Sequence, residues 1–244
     1  MKAKRLVMNK LSSIFRIHPI TFIYLIIALY GGFFKNYFVI FFIVLFHEMC
    51  HLMMAYFFNF RLGNMVLLPF GAFLEIKDYG NYHVLKELLV SLMGPLSHII
   101  LFAFIKFLNI ECLGVNLYYY SLKMNLMIML FNSLPIYPLD GSKICTILLS
   151  YLFPYKLTLI ISGLISVISL LMMMHFYVQI ESLLIYIFLI IEQFHYFKHY
   201  QDIYLHLVYL RNRYVTYHHI KLNKGYSLFR PYYNIYVIAK REDD

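Results

Sequence analysis

The chain has 244 residues, of which 62% are hydrophobic and 14% charged, and its formal net charge at pH 7 is +9. Soluble domains average about 45–50% hydrophobic and about 25% charged residues. The composition therefore argues against a soluble globular protein and for a membrane protein. Three cysteines, an odd number, give no disulfide framework, and we expect free thiols.

Six apolar segments are candidates to cross a membrane, since a helical span needs about 20 mostly apolar residues. They cover about 19–34, 37–58, 87–107, 121–138, 155–176 and 181–198. We interpret the first as a retained span and not as a signal peptide, because its apolar run is long and no clean cleavage site follows it. The segments predict a membrane domain over residues 1–200 and a short basic, Tyr-rich tail over 201–244. Within that tail, Tyr233–Lys240 could form a single strand.

The basic residues predict the orientation of these spans. With the N-terminus in the cytoplasm, all of the 21 Lys and Arg residues except Lys35, Lys106 and Lys123 fall on the cytoplasmic side. This positive-inside bias predicts that both termini are cytoplasmic. The net charge is then mainly a topology signal that can also attract anionic membrane lipid. Nucleic-acid binding is disfavoured, because the basic residues flank the spans.

The second segment contains two histidines and a glutamate in the sequence HEMCH: His47, Glu48 and His51. Ionisable groups are costly in hydrocarbon and usually mark function. Residues four apart lie on one face of a helix, so the two imidazoles can bind one metal ion while Glu48 reaches a water on it. Zinc suits imidazole ligands and needs no redox partner. The alternative is a purely structural set, with hydrogen-bonded histidines and a protonated buried acid.

A candidate third ligand follows the fourth segment, in the sequence NSLPIYPLDG. Pro135 and Pro138 each remove a backbone donor and predict that the helix breaks. Asp140 is the only acidic residue between Glu111 and Glu181. Its carboxylate could complete a zinc site made of two histidines and one aspartate. An ordinary turn at the membrane surface is the alternative.

Two further features concern the third segment, LMGPLSHII. Gly94-Pro95 predicts an interruption of this span, since proline breaks helices. His98 is a candidate fourth ligand, but it belongs to a different span from His47. We therefore expect a hydrogen-bonded packing role for His98.

HEMCH in the second span, together with NSLPIYPLDG in the fourth, resembles the site-2 protease family of intramembrane zinc metalloproteases. The resemblance implies an all-α polytopic membrane protein with about six transmembrane helices, a broken fourth helix and a membrane-dipping hairpin at Leu67–Ile76. It also implies the roles of the site residues. The zinc ligands would be His47, His51 and Asp140, the catalytic acid/base Glu48, and the substrate-positioning or oxyanion-stabilising residue Asn132.

The resemblance also implies a function, namely a zinc endopeptidase that cleaves a membrane-associated or transmembrane protein near the cytoplasmic side. The six-span layout resembles the bacterial sporulation branch of the family. That branch implies a sigma factor precursor, pro-sigma-K, as substrate, inhibitory membrane-protein partners, and a location in the bacterial inner membrane or the forespore outer membrane. The branch usually carries a nucleotide-sensing CBS domain, and the tail after residue 200 is too short for one.

Two alternatives belong to other functional classes. The first is a membrane metallohydrolase that acts on lipid or a prenylated peptide, for which a downstream glutamate would be the expected third ligand. The second is a non-catalytic membrane scaffold or transporter with a relict metal site. Bound zinc without hydrolysis, or no zinc at all, would favour this second alternative.

Overall fold

The computed structural model describes residues 15–17, 19–32, 34–68, 71–77, 79–176, 183–213, 220–222, 230 and 233–235. The helices within these ranges are α1 (Pro19–Tyr30), α2 (Phe34–Phe57), α3 (Val84–Leu113), α4 (Val115–Ser133), α5 (Asp140–Leu152), α6 (Tyr155–Phe176) and α7 (Leu183–Arg213). The strands are β1 (Phe15–Ile17), β2 (Leu62–Leu68), β3 (Gly71–Ile76), β4 (Ile220–Leu222) and β5 (Tyr233–Ile235). The helical class is confirmed, with two small sheets added to it.

Three of the described helices are long and apolar enough to cross a membrane: α2, residues Val84–Leu108 of α3, and α6. They match the second, third and fifth predicted spans, and the chain is an integral membrane protein. Helix α1 has 12 residues and is about 18 Å long at about 1.5 Å per residue, which is shorter than the hydrocarbon core of about 30 Å. The total of six spans stays a prediction.

The predicted hairpin is present and begins earlier than its apolar sequence indicated. Strands β2 and β3 pair antiparallel from Leu62↔Ile76 to Leu68↔Gly71, and residues 69 and 70 lie outside the described ranges. Strand β1 pairs with the other side of β2 in parallel, so β3 is an outer strand of this sheet. Insertion of the hairpin into the membrane stays a prediction.

The two predicted helix breaks had different outcomes. Helix α4 ends at Ser133 and α5 begins at Asp140, which confirms the break in the sequence that contains Pro135 and Pro138. The interruption predicted at Gly94-Pro95 is wrong, because α3 runs through Pro95 without a break. An internal proline removes only one backbone donor, and the remaining bonds and the packing of this 30-residue helix outweigh that loss.

The chain divides into two compact units, Met1–Lys77 with Leu89–Ser133, and Asp78–Leu88 with Leu134–Asp244. In the first unit, α2 packs against α4 and β3. In the second unit, α6 packs against α5 and α7 around a buried cluster of Tyr155, Leu159 and Leu207. The three cysteines are free thiols, as expected.

The tail strand is confirmed in part. Strand β5 contains the first three residues of the predicted Tyr233–Lys240 strand and pairs in parallel with β4. Residues 236–240 lie outside the described ranges. The boundary of the membrane domain at residue 200 stays a prediction, and α7 continues through that position to Arg213.

Candidate metal centre

The imidazoles of His47 and His51 meet on the buried face of α2. Their relative exposures are 2% and 7%, and their Nε2 atoms lie 3.1 Å apart. The helical spacing of four residues explains why the rings are neighbours. Two nitrogen ligands about 2.0–2.1 Å from a tetrahedral zinc ion would be about 3.3 Å apart. The separation of the two nitrogens therefore fits a pair of zinc ligands.

The other nitrogen of each imidazole is held by a neighbouring group. The His51 Nδ1–H donates to the Val90 carbonyl oxygen over 2.7 Å. The His47 Nδ1 atom lies 3.0 Å from His98 Nε2. Metal-binding histidines almost always use their second nitrogen in this way, which fixes the orientation of the ring. His98 thus has the hydrogen-bonded role that the sequence predicted.

Asp140 is the first residue of α5 and is 5% exposed. A carboxylate is stabilised at this position by the partial positive charge of the helix N-terminus, and it accepts a hydrogen bond from Lys143 Nζ over 2.9 Å. Asp140 is the predicted third ligand beside His47 and His51, and that role stays a prediction. Two nitrogens and one oxygen, with a fourth position left for water, are a donor set typical of catalytic zinc.

The irregular backbone before Asp140 is held by side chains of α6 and α7. The Tyr137 N–H donates to Ser166 Oγ over 2.7 Å, and Gln193 Nε2 donates to the Tyr137 carbonyl over 2.9 Å. Ser166 Oγ in turn donates to Gln193 Oε1 over 3.0 Å. Buried backbone groups outside regular structure need such partners. The three bonds fix the chain three residues before Asp140.

The predicted catalytic residues Glu48 and Asn132 lie on α2 and α4. Glu48 is half-buried and follows His47 directly. Asn132 is in the last turn of α4, and its Nδ2 donates to the Ile128 carbonyl of the preceding turn over 3.1 Å. The catalytic roles of both residues stay predictions.

Gly94 on α3 leaves room for the two imidazoles. A Cβ atom at this position would lie 2.6 Å from His47 Cε1 and closer still to the His51 ring. Alanine normally stabilises a helix interior by about 1 kcal/mol relative to glycine. Here we expect Gly94→Ala to displace both rings and to remove most of the bound zinc, measured by metal analysis of the purified protein.

The matched control for this variant is Gly163→Ala. Its added Cβ would crowd Tyr196 Cε1 at 2.7 Å in the second unit, and it should loosen packing while zinc is retained. A Gly94→Ala protein with the full zinc content would show that α3 does not restrict the imidazoles as described.

The sequence did not predict one buried ion pair. Glu87 and Arg230 are paired at 0% and 1% side-chain exposure, and Glu87 Oε1 also accepts from the Gly80 N–H over 2.8 Å. Burial lowers the pKa of Arg230 to about 10, against an opposing effect of Tyr79, so the guanidinium is charged at neutral pH. No pattern connects residues 143 positions apart, and neither lies in a recognisable motif.

Comparisons with known proteins agree with this geometry. Residues 36–113 match Peptidase family M50. The chain is 37% identical over 153 residues to stage IV sporulation protein FB of Bacillus subtilis, which covers 61% of this chain and 53% of that protein. It is 28% identical over 185 residues to a zinc metalloprotease of Methanocaldococcus jannaschii, covering 70% of this chain and 54% of that protein. The chain thus spans about half the length of the curated relatives it matches.

A solved structure gives the corresponding three-dimensional match. The site-2 protease from Methanocaldococcus jannaschii superimposes with a TM-score of 0.53 at 26% sequence identity, over 73% of this chain and 88% of that one. The region that matches Peptidase family M50 contains residues 36–57 of α2, with its HEMCH sequence, and all of α3. The sequence match, the structural match and the paired imidazoles point to the same family. The chain is similar to the site-2 proteases of Peptidase family M50, the family that its residues 36–113 match.

Proposed function

We propose that the protein is an intramembrane zinc endopeptidase whose metal ligands are His47, His51 and Asp140. The observation that carries the proposal is the convergence of the two buried Nε2 atoms at 3.1 Å, each ring being held at its other nitrogen. The buried Asp140 carboxylate at the start of α5 and the similarity to a zinc metalloprotease support the same assignment.

The catalytic roles follow from the chemistry of these side chains. Zinc, when bound, supplies Lewis-acid polarisation of the scissile carbonyl and of a water molecule. Glu48 acts as the general base that takes a proton from the attacking water, and it later passes the proton to the leaving amine. Asn132 stabilises the oxyanion. Its amide has two N–H groups, and the bond to Ile128 uses only one of them.

The substrate is proposed to bind in an extended form. A helical substrate hides its peptide carbonyls in internal hydrogen bonds, whereas an extended peptide can add to the edge of a sheet. Strand β3 is an outer strand of the hairpin sheet and packs against α2, which carries His47 and His51. An extended segment that pairs with β3 would therefore lie close to the helix that carries these imidazoles.

The similarity to a sporulation protein supports a more specific substrate. We propose a membrane-associated protein cleaved near the cytoplasmic side, with a sigma factor precursor such as pro-sigma-K as the first candidate. The location would be the bacterial inner membrane or the forespore outer membrane, with both termini cytoplasmic. Inhibitory membrane proteins and anionic lipid are the proposed partners.

Removal and return of the metal test the proposed activity. The purified protein in detergent, incubated with a zinc chelator and then freed of it, should lose cleavage of a sigma factor precursor. Equimolar zinc should restore cleavage, and magnesium should not, because Mg²⁺ prefers oxygen ligands. Full cleavage by protein that metal analysis shows to be zinc-free would rule out a zinc endopeptidase.

A further inference from the structure

A buried chain of hydrogen bonds extends from His47 away from the candidate metal centre. His98 on α3 and Asn125 on α4 are 0% and 2% exposed. His98 Nε2 lies 3.0 Å from His47 Nδ1, and His98 Nδ1 lies 2.8 Å from Asn125 Oδ1. Asn125 Nδ2 donates to the backbone carbonyl of His98 over 2.9 Å. All three residues belong to the first compact unit.

The Asn125 amide sets the direction of this chain. A backbone carbonyl only accepts hydrogen bonds, so the amide nitrogen must be the atom that faces it. The amide oxygen therefore faces His98 Nδ1. Because that oxygen only accepts, the proton of a neutral His98 ring is on Nδ1, and its Nε2 has a lone pair.

The tautomer of His47 then follows. The lone pair of His98 Nε2 requires a donor, so His47 Nδ1 carries the proton of that ring. The Nε2 atom of neutral His47 is therefore a lone-pair donor to a metal ion. It is the atom that faces His51 Nε2. His51 reaches the same tautomer by a different route, through the Val90 carbonyl.

We propose that His98 and Asn125 are positioning residues that hold His47 in its metal-binding tautomer and ring orientation. This inference rests on the proposed zinc site. The contrast between the two ligands makes it testable, because the partner of His51 is a backbone carbonyl, whereas the partner of His47 is a replaceable side chain. Loss of such an outer partner typically weakens metal binding by about 10- to 100-fold.

Two substitutions of His98 separate positioning from packing. His98→Leu fills the space but offers no acceptor for His47 Nδ1–H. The side-chain amide oxygen of His98→Gln can accept a hydrogen bond from that N–H group. Both variants remove the imidazole Nδ1–H that faces Asn125 Oδ1. We expect zinc affinity, measured by chelator competition on the full-length protein in detergent, to fall by about 10- to 100-fold in His98→Leu and to recover largely in His98→Gln. His195→Leu, at an exposed histidine on α7, should bind zinc like the wild type.

Equal zinc affinity in His98→Leu and wild type would overturn the proposal. Equal weakening in His98→Leu and His98→Gln, in step with their unfolding temperatures, would overturn it in favour of packing. A wild-type protein without zinc affinity would instead refute the proposed function. The imidazole ¹⁵N shifts of the zinc-free protein then decide the tautomer separately. A proton on His47 Nδ1 that His98→Leu disperses over both nitrogens supports the proposal, and an unchanged tautomer contradicts it.

Discussion

Replacement of Glu48 by glutamine is expected to abolish proteolysis while the protein keeps its bound zinc. Glutamine has nearly the same shape as glutamate, so the packing of α2 around His47 should persist. It cannot take a proton from water, and general-base catalysis contributes about 10²- to 10⁴-fold to rate. Co-expression with a candidate substrate, with the cleaved fragment and the bound zinc both quantified, measures the two effects together.

The matched control for this variant is Glu192→Gln on α7, at a half-buried glutamate like Glu48. It makes the same chemical change outside the proposed site and should cleave at the wild-type rate. A Glu48→Gln protein with wild-type cleavage would show that the carboxylate is not the base. Loss of zinc from Glu48→Gln would show that Glu48 helps to hold the metal.

Among the substitutions proposed here, removal of Arg230 is expected to cause the largest loss of unfolding free energy. Glu87 is 0% exposed and would stay buried without its cationic partner. Removal of one member of a buried ion pair typically costs about 3–5 kcal/mol of unfolding free energy. Arg230→Ala should therefore show a much lower unfolding midpoint in detergent. It should also release the backbone at Gly80, whose carbonyl accepts a hydrogen bond from Arg230 Nε over 3.2 Å.

Two comparisons identify the source of the Arg230 effect. Lys198→Ala, at an exposed position on α7, should change the unfolding midpoint little. The double variant Glu87→Leu with Arg230→Leu removes both charges and should recover part of the lost stability, because a buried ion pair replaced by apolar groups is often nearly neutral. An Arg230→Ala protein as stable as Lys198→Ala would refute the buried pair as a source of stability.

The parts of the site that the sequence predicts are those with a local physical cause. The turn of one helix brings His47 and His51 together. Two nearby prolines cause the helix break before Asp140. The predicted interruption at Pro95 was wrong because packing along a long helix outweighed the local preference of one residue. Local sequence rules therefore predicted the structure correctly where no tertiary contact opposed them.

Pairs of residues far apart in the chain could not be predicted from the sequence. His98 and Asn125 are 27 residues apart and on different helices, and Glu87 and Arg230 are 143 residues apart. One signal was available for the first pair, because polar residues within predicted spans usually mark function. Their partners depended on which helices pack together, which no periodicity specifies.

Zinc content is the most direct test of the central claim that His47, His51 and Asp140 bind a catalytic metal. The measurement is zinc per chain, by metal analysis, in purified wild type, His51→Ala, Asp140→Ala and, as control, His195→Ala. We predict about one zinc ion per chain in the wild type and the control, and a large loss in the two ligand variants. A wild type without zinc, or ligand variants with the same zinc content as the wild type, would contradict the proposed metal centre.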